Sequence, residues 1–544
     1  MHLLRSIGPH IMLYAQCFDE HISQTFAQYY NIDFSTPLTL QQLPLDGSPL
    51  TNIHLIALAR NQLRSSADAG GLRLVSMVEV AMPAFLVARL KHFRQLAEEG
   101  VNGPYILGNP TESTSLFSEP LLKAYSSLLQ RGAVTITSDQ DKQHHAQATM
   151  FLPDSTVYQN PDPATATRAV ARTLSTVINQ NHLSKWYRAQ HPNMQIIKQL
   201  KVLHPSLGQR LDHLTPVDYK APHDGFDLPP NLVVKHQPNS FLTCLLPDRP
   251  DGLSKHQLSM YLKLLLGLPM PPFNTDNQCC PCGAQVDLYG FHRLNCKRGA
   301  GPAFKSGHNT VQDQLAYELR RLNLNVVSQD TKLRQQYSHS TSKKRGDLAV
   351  DAEPTHFRLL TPGQIPRDKF ILDVSITAMV NGRGQWAGSL NRETHSYDNP
   401  TLAQKQNAKI VKHGSHYANI GFAFAPFVGS SYGTFGPTSA RLLLGLANEE
   451  LRQHDSYWTR VGLEPLVDPS ARAQFRALCY RQSSARIGHA LAKATVKRLL
   501  ATPSLPIPLP APRSLAARNR PGPADFVSPS PPHLVSHPSS LSPV

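Results

Sequence analysis

Four potential metal ligands lie within one short segment of the chain. Cys280, Cys282, His292 and Cys296 follow the spacing C-x-C-x9-H-x3-C. Four Cys and His side chains are the usual ligand set of a structural zinc ion, which they surround as a tetrahedron. Cys279 is an alternative first ligand, because it gives the more usual C-x2-C spacing. The sequence therefore predicts a structural zinc knuckle in which no ligand position is left for water.

Two aspartates lie in apolar segments farther along the chain. Asp347 begins one short apolar run, and Asp373 lies within the apolar segment 370–377. A carboxylate in such surroundings is costly unless a cation or hydrogen-bond donors satisfy it. If neighbouring strands bring the two carboxylates together, they would hold Mg²⁺, which prefers oxygen ligands. The alternative is that each aspartate caps a turn at the end of a strand.

A group of lysines follows the two aspartates. Lys405, Lys409 and Lys412 are spaced i, i+4 and i+7, so they share one face of a helix. One of them would stabilise negative charge that develops on a scissile phosphate, and the others would contact nearby phosphates. The alternative is an ordinary solvated helix face.

Size and charge limit the class of protein. The chain has 544 residues, enough for two to four domains, and a formal net charge of +16. Such a surplus suits a polyanionic partner, most simply nucleic acid or an anionic membrane surface. Seven cysteines in this length do not make a disulfide scaffold, and the first residues lack the pattern of a secretory signal. We expect a soluble intracellular protein, nuclear or cytoplasmic, with no membrane-spanning segment and no signal peptide.

The N-terminal half is predicted to be mostly helical. Apolar residues at helical spacing predict helices in three segments, and Lys255 begins a shorter one that Gly267 ends. The segment 200–240 is rich in proline and histidine and is predicted to be a connector. The three longer helical segments are 53–63, 75–96 and 165–200.

The C-terminal half is predicted to form a small α/β domain, so the fold class is a multidomain α+β protein. An amphipathic helix over 308–323 is followed by strand patterns over 325–328, 347–350, 370–377 and 421–424, with a helix over 402–412 before the last strand. Two helices, 438–453 and 470–500, close the folded part.

The end of the chain has a distinct composition. The segment 469–524 contains basic but no acidic residues, which predicts either a basic arm on nucleic acid or an ordinary surface helix followed by an uncharged tail. The proline- and serine-rich tail, 501–544, is predicted to be disordered.

Residues from about 280 to 450 resemble the restriction-enzyme-like endonuclease domain of non-LTR retrotransposons, a member of the PD-(D/E)xK nuclease fold. The order of motifs carries the resemblance: a CCHC knuckle, a histidine–asparagine pair, two carboxylates, a helical lysine and a tyrosine. The residues that match after the knuckle are His308, Asn309, Asp347, Asp373, Lys409 or Lys412, and Tyr417.

The resemblance implies a role for each of these residues. Asp347 and Asp373 would bind Mg²⁺, with Tyr417 in the same catalytic set. Lys409 or Lys412 would stabilise the transition state, and the sequence does not choose between them. The nucleic acid would be positioned by His308, Asn309, Lys305 and Lys405.

The chain departs from the family pattern at two positions. Gly307 stands where arginine or lysine is expected, although Lys305 is close by, and Gly346 stands where a proline is expected before Asp347. These departures bear on intact catalysis more than on the fold.

The first 270 residues are similar to the thumb and linker that follow the reverse-transcriptase palm in these elements. The segments 70–76, 241–243 and 264–269 carry that similarity, while the Tyr/Phe-x-Asp-Asp motif of the palm does not occur. The chain is therefore expected to be the C-terminal portion of a truncated or split element, without reverse transcription of its own. The expected domains are thumb and linker, knuckle, endonuclease, basic C-terminal helices and tail, over 1–270, 271–300, 301–455, 456–500 and 501–544.

Two functions follow from these expectations. The first is a Mg²⁺-dependent DNA endonuclease that nicks a target site and carries structural zinc. The second is a catalytically eroded retroelement remnant that only binds nucleic acid. DNA is the expected partner, RNA is a second candidate, and the sequence leaves the oligomeric state open.

Overall fold

The structure is a computed structural model. It describes residues 12–30, 40–65, 70–72, 74, 77, 192–215, 217–220, 233–242, 252–270, 280, 282–296, 301–328, 346–351, 369–381, 386 and 400–500. Cys279, nearly all of the predicted helix 75–96, most of the predicted helix 165–200 and the predicted disordered tail lie outside these residues. Among the helices described, none combines the length and apolar character that crossing a bilayer requires.

The described part of the first 270 residues contains five α-helices, and sequence patterns had placed two of them correctly. The predicted helix over 53–63 corresponds to α2, and the predicted helix that begins at Lys255 corresponds to α5. Ser254 caps α5 in a capping box with Gln257, and Gly267 ends it in the left-handed conformation at φ 64°. The helices are α1 (Met12–Tyr30), α2 (Asn52–Arg64), α3 (Pro192–Leu203), α4 (Pro205–Leu214) and α5 (Lys255–Leu266).

The predicted connector over 200–240 is wrong, because this segment contains regular structure. Helix α4 buries Leu207, Leu211 and Leu214, which recur at helical spacing. Strands β1 (Val217–Lys220) and β2 (Val233–His236) then pair as an antiparallel hairpin. The proline that starts α4 lies at its first helical position, where it needs no hydrogen-bond partner, so the proline content did not indicate a loop.

A mixed four-stranded sheet forms the centre of the C-terminal half. Its strand order is β3-β4-β5-β6; β4 runs antiparallel to β3 and β5, and β6 runs parallel to β5. The crossover between the parallel strands contains α8. The elements are α6 (Phe291–Asn295), α7 (Gly301–Arg321), β3 (Asn325–Ser328), β4 (Leu348–Asp351), β5 (Lys369–Thr377), α8 (Pro400–Asn419), β6 (Ala423–Ser430), α9 (Pro437–Arg460) and α10 (Pro469–Leu500).

The two faces of this sheet are covered by different helices. Side chains alternate along a strand, so Phe370, Leu372 and Val374 of β5 pack against α7, α9 and α10. Ile371 lies on the opposite face with Tyr417 of α8. Burial on both faces explains the unbroken apolar run of β5. An α+β architecture is therefore confirmed.

Helix α10 is a buried helix rather than a basic arm or a surface helix. Ile487 and Leu491 belong to the main core beside the sheet, while Val496 and Leu499 belong to a second core that includes Cys280 and Cys296. The helix therefore contributes to both cores at once.

Paired charges fix α7 against its two neighbours. Arg321 makes a bidentate ion pair with Glu450 of α9 at 2.7 and 2.8 Å. Arg486 of α10 makes another with Glu318, at 2.6 and 3.0 Å, and Glu318 is completely buried. Removing one partner of such a buried pair typically costs about 3–5 kcal/mol, so these contacts hold α7 in one orientation.

Candidate metal centre and carboxylate site

The four predicted knuckle ligands come together. The Cys280 and Cys296 Sγ atoms are 3.3 Å apart, and the Cys282 Sγ lies 3.3 Å from the His292 Nε2. All four ligand atoms lie within 4.8 Å of one another. Zinc–sulfur bonds of 2.3 Å and zinc–nitrogen bonds of 2.0–2.1 Å give tetrahedron edges of roughly 3.5–3.8 Å, so the arrangement fits one metal ion.

Backbone turns on both sides of the ligands produce this arrangement. Gly283 and Gly290 have positive φ angles of 86° and 74°, a conformation that glycine adopts without steric cost. The Asp287 carboxylate accepts three backbone N–H bonds, from Tyr289, Phe291 and His292, at 2.6–3.0 Å. It thereby holds the first turn of α6, which carries His292.

Burial favours the neutral form of one thiol in this cluster, Cys280. Burial raises the pKa of the Cys280 thiol to about 12, and the neighbouring thiols add to the shift. Because a thiolate is the form that binds metal, metal binding here releases protons. The cluster is therefore a site that could hold a metal ion.

The two aspartates are cross-strand neighbours. Leu348 pairs with Leu372 in the antiparallel ladder, and the Asp347 N–H donates to the Leu372 carbonyl at 2.8 Å. The paired ladder ends at Leu348, one residue after Asp347. The Asp347 Oδ2 accepts the Val374 N–H at 2.6 Å, so this carboxylate lies against β5 beside Asp373. Besides burial, the Asp347 charge also raises the pKa of Asp373, as expected of two acids that lie close together.

Lys409 reaches this acid pair from α8. Its Nζ lies 2.6 Å from the Asp373 Oδ2, and the two side chains are 18% and 12% exposed. Burial raises the pKa of Asp373, and the Asp347 charge adds to that shift, while the Lys409 charge opposes it. Lys409 therefore offsets part of the cost of placing two acids side by side.

His308 contacts the other carboxylate. Its Nε2 lies 2.9 Å from the Asp347 Oδ2, which also accepts the Val374 N–H at 2.6 Å. Burial lowers the pKa of His308, but the hydrogen bond and charge of Asp347, together with the Asn309 hydrogen bond and the Asp373 charge, outweigh burial, so the net shift is upward. The structure thus places His308 on a carboxylate, although sequence analysis had assigned it to nucleic-acid contact.

Tyr417 contacts the same group from α8, about two turns after Lys409. It is buried, stacks on Phe424 at a centroid distance of 5.3 Å, and forms a hydrogen bond with the Gly346 backbone. Burial raises the pKa of Tyr417 to about 12, and the charges of Asp373 and Asp347 act in the same direction. The phenol therefore stays protonated at neutral pH.

Gly346 fits its position because of one neighbour. A Cβ atom at residue 346 would lie 1.9 Å from the Ile371 Cγ2, so any side chain here, including proline, collides with the adjacent strand. The glycine at position 307 has a similar explanation, since a Cβ there would lie 3.1 Å from the Ala494 Cβ of α10. Close packing therefore explains why a residue without a side chain stands at both positions.

Replacing Gly346 by alanine should destabilise the protein by about 1–3 kcal/mol, the usual cost of overpacking. The same change in an Ile371→Ala background should cost much less, because the colliding methyl group is gone. Urea unfolding of the four proteins gives the coupling free energy. If Gly346→Ala lowers the free energy of unfolding equally in both backgrounds, contact with Ile371 is not the reason that glycine is needed at position 346.

Four of the other predicted residues are exposed. Lys405 and Lys412 lie on α8, and Lys305 and Asn309 lie on the first turns of α7. Lys409 is the candidate lysine that contacts Asp373, whereas Lys412 is exposed.

Two contributors to the site were missed by sequence analysis. Gln312 donates to the Asp347 carbonyl at 3.1 Å. His413 lies one helical turn after Lys409, packs on Phe424, and its charge lowers the pKa of Asp373. The i, i+4 spacing from Lys409 was the available signal for His413.

Comparison of the sequence with protein-family models and with curated proteins gives no match.

Proposed function

We propose that this protein is a Mg²⁺-dependent DNA endonuclease of the PD-(D/E)xK type, with a structural zinc ion in the Cys/His cluster. The observation that carries the proposal is the acid pair: the Asp347 carboxylate accepts the N–H of Val374, the residue after Asp373, and the Lys409 Nζ lies 2.6 Å from the Asp373 Oδ2. Two carboxylates can hold a divalent cation that activates water and offsets phosphate charge, and a nearby helical amine can stabilise the charge that develops in the transition state of phosphodiester hydrolysis.

The donor set at the acid pair fits a hard divalent cation. Within the residues described, the Cys/His cluster is the one set of three or more Cys, His, Asp and Glu side chains with closely grouped ligand atoms. A cation held by Asp347 and Asp373 would therefore take its other ligands from water and phosphate, as Mg²⁺ usually does. When bound, Mg²⁺ would supply an activated water and offset phosphate charge.

The protein's own residues would prepare and complete this site. His308 and the Val374 N–H orient the Asp347 carboxylate through the bonds described above. Lys409 would move from Asp373 towards a bound phosphate, where its charge stabilises the transition state. The exposed Lys305, Lys405 and Lys412 would contact phosphates farther along the duplex.

The direct test is nicking of supercoiled plasmid by purified protein in the presence of Mg²⁺. Lys409→Ala should lower the nicking rate about 100- to 1000-fold, the usual loss when a preorganised charge-stabilising group is removed. Lys412→Ala is the matched control on the same helix, and its effect should stay within about tenfold. A larger loss with Lys412→Ala than with Lys409→Ala would show that Lys409 is not the catalytic lysine.

The binding-only alternative rests on the exposed lysines and needs no intact acid pair. Neutralising Lys305, Lys405 and Lys412 together should reduce the slope of log K against log salt by about three, since each phosphate contact contributes about 0.9. Fluorescence anisotropy with labelled duplex measures that slope. DNA binding with this slope but without nicking would favour the remnant, whereas an unchanged slope would place the DNA elsewhere.

A further inference from the structure

The Cys/His cluster is seated directly on the C-terminal end of α10. The Arg293 Nη1, on the same short helix as His292, donates to the Leu499 carbonyl at 3.0 Å. A Cβ atom on Gly290 would lie 2.7 Å from the Leu499 Cδ2, so the knuckle backbone is at the closest approach that packing allows. The position of the cluster therefore fixes the last turn of α10.

The last turn of α10 also holds the part of α7 that carries His308. The Lys497 Nζ donates to the Ser306 Oγ at 3.0 Å and to the Thr310 Oγ1 at 2.8 Å. These two acceptors lie two residues before and two residues after His308. Ala494 packs against Gly307 between them. This turn of α7 is thus fixed on both sides of His308.

The same end of α10 also contacts the strand that carries Asp373. The Arg498 Nη1 donates to the Ile376 carbonyl at 3.2 Å, three residues after Asp373, and its guanidinium lies 4.1 Å from the Phe304 ring centroid. The last two turns of α10 therefore touch the knuckle, the His308 turn and β5.

We propose that the metal-held knuckle fixes the geometry of the carboxylate site through α10, with Arg293, Lys497 and Arg498 as positioning residues. Zinc would then set the placement of His308 against Asp347, in addition to stabilising its own segment. The inference rests on the proposed function only for its consequence for DNA cleavage; the coupling itself concerns the placement of α7.

Lys497→Met tests the connection in the full-length protein, because it removes both hydrogen bonds and keeps the apolar stem. We expect the variant to keep one zinc per chain and to show faster amide hydrogen exchange at residues 305–310 and 346–350. The affinity of the acid pair for Mn²⁺ should fall by up to about tenfold, the lower end of the loss seen when residues that support metal ligands are removed. Arg481→Gln is the matched control, since Arg481 is an exposed cation on the same helix. It should change none of these quantities.

Two further variants separate coupling from a folding defect. Arg293→Gln removes the bond to Leu499 and should raise exchange at residues 305–310 while zinc is retained. Ser306→Ala with Thr310→Val removes the Lys497 contacts from the α7 side and must reproduce the Lys497→Met result. Unchanged exchange at 305–310 in these zinc-loaded variants would overturn the proposal. Hydrogen exchange needs no substrate, so failure of the wild-type protein to cut DNA would remove only the proposed function.

Discussion

Replacing Asp373 by alanine should abolish Mg²⁺-dependent nicking, with a loss of at least about a thousandfold. The carboxylate is one of the two acids proposed to hold the cation, and metal-ion stabilisation of a transition state is worth several kcal/mol. Each 1.4 kcal/mol corresponds to a tenfold change in rate. Single-turnover cleavage of a supercoiled plasmid measures the loss.

A matched acid lies at the opposite end of the same sheet. Asp351 ends β4, its side chain is 44% exposed, and it lies 3.8 Å from Lys369. Asp351→Ala should therefore leave the nicking rate unchanged. Burial raises the pKa of Asp373, so its ionised form is disfavoured in the folded protein. Removing the carboxylate should therefore not unfold the protein, and the circular dichroism spectrum of Asp373→Ala should match that of the wild type. Nicking by a folded Asp373→Ala protein would exclude the acid pair as the catalytic centre.

Replacing Cys296 by serine should cause the largest loss of stability of any single change considered. Structural zinc contributes about 10–16 kcal/mol of binding free energy in zinc-finger peptides, comparable to or larger than the 5–15 kcal/mol that separates most folded proteins from the unfolded state. Cys280 and Cys296 also belong to the second core, beside Met270 and Leu499. We expect loss of bound zinc and a much lower melting temperature by calorimetry.

Cys479 provides the control for this change. It is equally buried, but it lies in α10 among residues of the main core and outside the Cys/His cluster. Cys479→Ala should keep one zinc per chain and cost only about 1 kcal/mol, as an ordinary substitution does. Equal destabilisation by the two changes would mean that zinc adds nothing beyond the packing of a thiol.

Sequence patterns were sufficient where one physical signal dominated. The apolar stripe of Val311, Leu315 and Leu319 predicted α7, and all three side chains are fully buried. That helix begins at Gly301, seven residues before its predicted start, because the periodic stripe is confined to its later turns. The spacing of the Cys and His ligands likewise predicted their convergence, since short loops limit how far apart such ligands can lie.

Other parts of the site depend on the tertiary structure and could not be read from spacing. The placement of Asp347 beside Asp373 depends on the register of β4 against β5, and a shift of one residue would turn each side chain to the other face of the sheet. Lys405, Lys409 and Lys412 share a helical face, but only the packing of α8 on the sheet decides which of them meets Asp373. The close approach of Ile371 to Gly346 involves strands whose pairing the sequence does not specify.

The position of α10 has a consequence for synthesis on the ribosome. Ile487 and Leu491 belong to the main core, whose last member is Ala494, and Val496 belongs to the second core, whose last member is Leu499. The main core is therefore incomplete until residue 494 has been made, and the second until residue 499 has been made. Translation proceeds at about 5–20 residues per second, and N-terminal parts of a chain normally fold first. A nascent or prematurely terminated polypeptide would therefore contain both aspartates and Lys409 before the cores that support them are complete.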